Sequence, residues 1–175
     1  MTDSAAYYLQ PLSWHQTGSR PERYELRAIP GVIADLTFRH KHEATARSPD
    51  AAWRFLSKGI FRKSADILLD PSGKVLGSCR LGYWSSHGSL ELRPGFTLAF
   101  AADTWDKSYS VRAPSGALVF SYDFRGFFSL RSPLTWGEFP EPAEDFPWLI
   151  PFAWFLAVRY YRDVIEAAGA VVAAG

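Results

Sequence analysis

Residues Phe146 to Val158 read FPWLIPFAWFLAV, an unbroken apolar run of 13 positions. Pro151 suits the first turn of a helix, where a backbone N–H has no intrahelical partner to lose. From Phe152 to Val158 the side chains are apolar on every face of that helix. A segment with no side that tolerates water must be surrounded by something. A membrane-spanning helix needs about 20 apolar residues. This run is shorter, and Glu144 and Asp145 bracket it on one side, Arg159 and Arg162 on the other. A core helix enclosed by the rest of the chain is the better reading, with Phe152, Trp154, Phe155 and Leu156 as its plug. Arg159, Arg162, Asp163 and Glu166 then fall at i, i+3, i+4 and i+7, one polar stripe. A helix over about residues 151–168 should therefore enter a core and emerge from it. Its length of roughly 27 Å at 1.5 Å per residue is enough to cross a small barrel. Residues 169–175 should fray.

What precedes this helix reads as short strands. Tyr24, Leu26 and Ala28 alternate with Arg23, Glu25 and Arg27, and Val32, Ala34, Leu36 and Phe38 repeat the pattern. Asp66 to Asp70 and Val75 to Leu81 flank Pro71-Ser72-Gly73, a fixed φ followed by a permissive residue, which suits a hairpin. Pro114-Ser115-Gly116 repeats the device between Tyr109–Ala113 and Leu118–Phe124. An internal repeat follows: Phe55, Phe61, Lys63-Ser64 and Pro71-Ser72-Gly73 recur as Phe100, Trp105, Lys107-Ser108 and Pro114-Ser115-Gly116, at offsets of 45, 44, 44 and 43. The fold class is mainly β, a closed antiparallel barrel of about ten to twelve strands around the C-terminal helix. Residues 1–22, polar and aromatic by turns, read as an N-terminal arm, and residues 23–168 as one domain. Residues 39–51 read as a polar, basic excursion. Ser132 to Pro147, with four prolines and four acids, reads as an extended connector.

Composition narrows the function. A hydrophobic fraction of 47% with 21% charged residues excludes a disordered chain, a coiled coil and a collagen-like repeat. The formal net charge is +1, so no nucleic-acid partner is expected. The single cysteine, Cys79, rules out an intrachain disulfide. It alternates with Val75, Gly77 and Leu81 and should face the core. Met1 to Gln10 has neither the basic nor the apolar region of a targeting signal. A cytoplasmic protein is expected, membrane-peripheral at most.

The hairpin at Ser64–Gly77, its echo at Tyr109–Tyr122 and the helix at Pro147–Tyr161 together resemble the tubby-like β-barrel superfamily. Its LURP-one-related and phospholipid-scramblase-like branch is nearest, in its small bacterial members. That resemblance implies a closed sheet around a hydrophobic C-terminal helix, with lipid or phosphoinositide binding in some branches. The scramblases' acidic calcium stretch would correspond to Glu138, Glu141, Glu144 and Asp145. Prolines interrupt it here, and calcium needs six to eight oxygens.

Between Arg39 and Lys63, seven Lys or Arg face Glu43 and Asp50, a local net charge of +5. Arg54, Lys58, Arg62 and Lys63 are the candidate residues for an anionic ligand or lipid headgroup. His40 and His42 sit at i and i+2, but no metal site is expected from them. Ser85-Ser86-His87 reads as a turn, because adjacent residues rarely face one another. No Walker loop, dinucleotide fingerprint or His-Glu-x-x-His occurs. The sequence thus points to a non-enzymatic binding or scaffold protein without cofactors, recognising anionic headgroups or a protein partner. The alternatives are a peripheral membrane protein that inserts its C-terminal apolar segment, and a hydrolase on a β-scaffold. No cleft is expected to hold a histidine or carboxylate within hydrogen-bond reach of a serine, threonine or cysteine nucleophile.

Overall fold

The protein is described by a computed structural model covering residues 10–29, 31–58, 63–82, 86–103, 106–123 and 131–173. Its strands are β1 (Leu12–Ser19), β2 (Glu22–Ala28), β3 (Gly31–His40), β4 (Glu43–Arg47), β5 (Ala52–Lys58) and β6 (Ser64–Asp70). They continue as β7 (Lys74–Leu81), β8 (His87–Arg93), β9 (Phe96–Asp103), β10 (Ser108–Arg112), β11 (Leu118–Asp123) and β12 (Arg131–Trp136). Two helices follow, α1 (Glu141–Asp145) and α2 (Leu149–Ala173). The twelve strands pair antiparallel in chain order and close into a barrel through β1 and β12.

Turn chemistry builds the middle of the barrel. Gly73 takes φ +70° and its N–H donates to the Leu69 carbonyl at 2.8 Å, so β6 and β7 pair across the Pro71-Ser72-Gly73 turn. Gly116, at φ +85°, serves β10 and β11 in the same way. The two copies of the sequence repeat are thus β5 to β7 and β9 to β11. Their matching Phe55 and Phe100 both point inward and meet one helix residue, Phe152, edge-on at 5.3 and 6.0 Å between ring centroids.

The plug is where the sequence placed it. Residues Phe152 to Val158 of α2 are 0–2% exposed. Trp154 stacks on Trp14 at 5.6 Å and takes the edges of Tyr24 and Tyr122 at 5.5 and 5.1 Å. Phe155 packs between Phe38 and Phe55, each at 5.7 Å. Such aromatic pairs contribute about 0.5–1.5 kcal/mol each beyond their buried area. The Tyr122 hydroxyl donates to the Ile150 carbonyl at 2.7 Å and fixes the first turn of α2 to the wall.

Several expectations need correction. Residues 12–19, read as part of an arm, form β1, with Leu12 and Trp14 facing inward. The rest of that arm, residues 1–9, lies outside the described residues. Ser132 to Trp136, read as connector, belong to β12. Pro133 is tolerated because pairing with β11 has ended at Leu134, so its missing N–H is not needed on that side. There the Ser132 hydroxyl reaches the Asp123 carbonyl at 2.7 Å instead. The excursion at 39–51 contains β4, whose inward residues are the small Ala44 and Ala46. The connector also holds the short helix α1. Finally, α2 begins at Leu149 and runs through Ala173, beyond the expected limits of 151 and 168. Residues 174 and 175 lie outside the described residues. Among the described residues no helix is long and apolar enough to cross a membrane.

Replacing Trp154 by Asp would place an unpaired carboxylate among Trp14, Tyr24 and Tyr122. The cost is at least several kcal/mol, comparable to the whole stability of a domain of this size. Trp154→Asp should be insoluble or lack near-ultraviolet circular dichroism; an unchanged melting temperature would refute the plug.

Candidate functional site

The charged residues that follow the plug on α2 do not form the simple solvated stripe that their spacing implies. Arg162 lies over the Phe38 ring, 4.4 Å from its centroid, and pairs with the Glu22 carboxylate, which also accepts the Tyr24 hydroxyl. Asp163 and Glu166 both pair with Lys41, the former at 3.2 Å. The emerging helix is therefore tied to the β1–β2 turn and the β3–β4 turn. Arg159 is different: it is 5% exposed, and its Nε and Nη1 are buried without a hydrogen-bond partner. Among the described residues no carboxylate lies within ion-pair distance of it. A guanidinium stays protonated in proteins, so a cation is held inside the barrel mouth.

Beside Arg159 is a cavity of about 350 Å³, lined also by Lys41, His42, Ser57, Lys58, Lys63 and Asp163. The β3–β4 turn, the end of β5 with Lys63 just before β6, and α2 supply this lining. Two of the lysines are held by acids. Lys41 has its pairs on α2, and Lys58 Nζ donates to Asp66 Oδ2 at 2.5 Å. Burial raises the Asp66 carboxyl, but Lys58 and the Ser78 hydroxyl more than offset it and hold the group below its ordinary value. The bond to Glu166, with help from Asp163, holds the Lys41 ammonium above its own, against burial. Burial, then the Arg159 and Lys41 charges, keep His42 below the usual histidine value, with Asp163 and Glu166 opposing. Burial likewise lowers Arg159, partly offset by Asp163 and Tyr109.

Of the residues singled out from sequence, Lys58 and Lys63 meet at this cavity. Arg54 lies four residues from Lys58 on the same outer face of β5, about 13 Å along the strand, half-buried and with its Nε lacking a hydrogen-bond partner. Arg62 lies outside the described residues. Arg159 and Lys41 were missed as site residues, although the local charge and the helix stripe pointed to both. Cys79 is buried, and burial pushes its thiol up to about 12, so it is a core residue rather than a nucleophile. Among the described residues no cluster of three or more potential metal ligands forms.

Serine–histidine contacts occur on the outer surface, where they line neither the cavity beside Arg159 nor the larger one over β1 to β4. Ser13 Oγ and His15 Nε2 lie 2.8 Å apart on the outer face of β1. Ser86 Oγ also contacts His87 Nδ1 at 3.2 Å. Burial and then Arg27 and Arg131 hold His15 below its ordinary value. Its cross-strand neighbour Glu25 is engaged by Arg27 at 2.7 and 3.0 Å, which draws the acid away from an orienting role. A larger cavity of about 620 Å³ over the outer faces of β1 to β4 mixes Arg23, Arg39 and Arg47 with Glu25 and Asp35, so its charges largely answer one another.

These shifts set a pH dependence. His15 and His42 bind a proton less readily folded than unfolded, so their contribution is complete above the ordinary value of 6.5. As pH falls below that value the unfolded chain takes up protons first and stability is lost. The melting temperature should drop between pH of about 7.5 and 5.5, and the double variant His15→Gln, His42→Gln should flatten that slope. An equal slope in the variant would contradict the assignment.

No protein-family model and no curated protein matches the chain. The crystal structure of a protein from Arabidopsis thaliana is similar over 90% of this chain and 92% of that one, at 10% identity and a TM-score of 0.32.

Proposed function

We propose that this is a non-enzymatic binding protein whose barrel mouth recognises anionic groups on a lipid surface. The observation that carries the reading is the set of cations around the emerging helix: Lys41, Lys58, Lys63 and the buried Arg159 border one cavity. The barrel interior is occupied by α2, so a ligand is offered the rim rather than the lumen. Beyond the rim α2 continues, with Val164 and Ile165 38% and 46% exposed. A short apolar overhang beside a basic rim suits the boundary between headgroups and acyl chains. The helix Phe152–Val158 is not required to leave the barrel in this reading. The protein would act as a membrane-peripheral protein of the cytoplasm, in keeping with the LURP-one-related and scramblase-like resemblance. A protein partner with an acidic surface would use the same rim.

The second reading is a hydrolase on the outer wall, and the Ser13–His15 contact is what favours it. It lacks an orienting acid, since Glu25 is held by Arg27. An esterase screen of Ser13→Ala against the unaltered protein tests it.

The lipid reading is tested by co-sedimentation with vesicles of phosphatidylcholine and phosphatidylserine. The unaltered protein should be retained at low salt and released as salt rises. Arg54→Ser, Lys58→Ser, Lys63→Ser combined should keep the fold and lose retention, at about 1 kcal/mol per charge. Absence of retention by the unaltered protein would dispose of the lipid surface.

A further inference from the structure

Arg159 presents a physical problem that the fold answers only in part, through the Phe155 ring 5.8 Å from its guanidinium carbon. The side chain is 5% exposed, two of its donors have no acceptor, and Asp163, the acid acting on it, is already engaged by Lys41 at 3.2 Å. A buried cation without a hydrogen-bonded counter-charge is costly. Its neighbour Tyr109, within electrostatic reach, has a hydroxyl that is likewise buried and without a partner. Tyr109 does not line the cavity, so the unmet group that borders it is the Arg159 guanidinium. Ser57, Lys58 and Lys63 bring further donors around the cavity.

We infer that the cavity beside Arg159 is a binding site for a single phosphate group, with Arg159 as its buried anchor and Ser57, Lys58 and Lys63 at its rim. A tetrahedral oxyanion accepts hydrogen bonds from several directions at once and supplies the missing negative charge; a water would satisfy donors but leave the charge. At about 350 Å³ the cavity holds one headgroup-sized moiety, at the small end of the range for ligand sites. The inference rests on reading the barrel mouth as the anion-recognising end. It adds that recognition centres on one buried side chain of the core helix rather than on diffuse surface charge. The phosphate could belong to a lipid headgroup or to a soluble monoester.

The test titrates the 175-residue chain with inorganic phosphate and with phenyl phosphate, against chloride at matched ionic strength. At about tenfold the Kd the melting temperature should rise by roughly 3–5 °C over chloride. The NMR titration midpoint of His42 should move up as the bound dianion offsets the Arg159 and Lys41 charges beside it, in the same direction as Asp163 and Glu166 already act. Arg159→Met removes the buried charge, so its phosphate-free melting temperature should equal or exceed that of the unaltered protein. Its response to phosphate should vanish. Should that variant fail to fold, Ser57→Trp fills the cavity from the rim and should abolish the response in the same way. An unaltered protein that phosphate stabilises no more than chloride overturns the site, as does an undiminished response in either variant. Vesicles containing phosphatidic acid separate the sources. Retention that free phosphate competes away supports the site with a lipid ligand. A phosphate response without retention supports it with a soluble ligand and removes the lipid reading. Retention without any phosphate response keeps the lipid surface and overturns the Arg159 site.

Discussion

A helix that is apolar around its whole circumference leaves the chain one way to fold in water, and Phe152 to Val158 form such a helix. With side chains it is about 10–12 Å across. An eight-stranded barrel has an interior that its own side chains fill, so enclosing a helix calls for more strands, and twelve are present. The wall is fitted to its contents. Ala44, Ala46 and Ala65 keep small side chains inward, while Trp14, Phe55 and Phe100 reach in to the helix rings. Because the lumen is filled, ligand chemistry is displaced to the rim, where α2 leaves the barrel and its charged residues meet those of the connecting turns.

What the sequence disclosed and what it hid follow from this division. The hairpins at Gly73 and Gly116 were legible because a Pro-Ser-Gly turn leaves few backbone alternatives. The helix was legible because no other environment suits it. The two strands that close the barrel were not. β1 carries Gly18 near its end and precedes Pro21, and β12 contains Pro133, so both looked like irregular chain. β4 was missed because Ala44-Thr45-Ala46 has too little apolar bulk to show alternation. The site divides in the same way. Lys58 and Lys63 stood out as local charge, whereas Arg159 was assigned to a solvated stripe by a periodicity rule that cannot tell a protruding helix face from one still inside the rim. The Ser13–His15 contact needed β1 to be read as a strand, since only there do residues i and i+2 share a face.

The repeat seen in sequence is part of a wider pattern. Trp14, Phe55 and Phe100, each of which meets an aromatic residue of α2, stand on β1, β5 and β9, every fourth strand. Gly31, Gly73 and Gly116 open β3 or form the turns before β7 and β11, all at positive φ (153°, 70° and 85°). Tyr24, Phe38 and Tyr122 on β2, β3 and β11 meet the same helix rings, and Gly95 before β9 also has a positive φ, 77°, so neither feature is confined to every fourth strand. These glycines gather at one end of the barrel, and Glu22, Lys41 and Lys58 at the other. Structural economy occupies the first end and leaves the second free to vary.

The seam between β1 and β12 pairs Leu12 with Leu134, and α2 comes after both. A ribosome therefore produces every strand of the wall before it produces what the wall encloses. Until Phe152 to Val158 have been synthesised, Trp14, Phe55 and Phe100 have no helix rings to pack against. Domains commonly fold in order from the N-terminus during translation, and exposed apolar strands invite aggregation while they wait. Here those three aromatic residues of the wall find their partners in α2, which follows every strand in the chain.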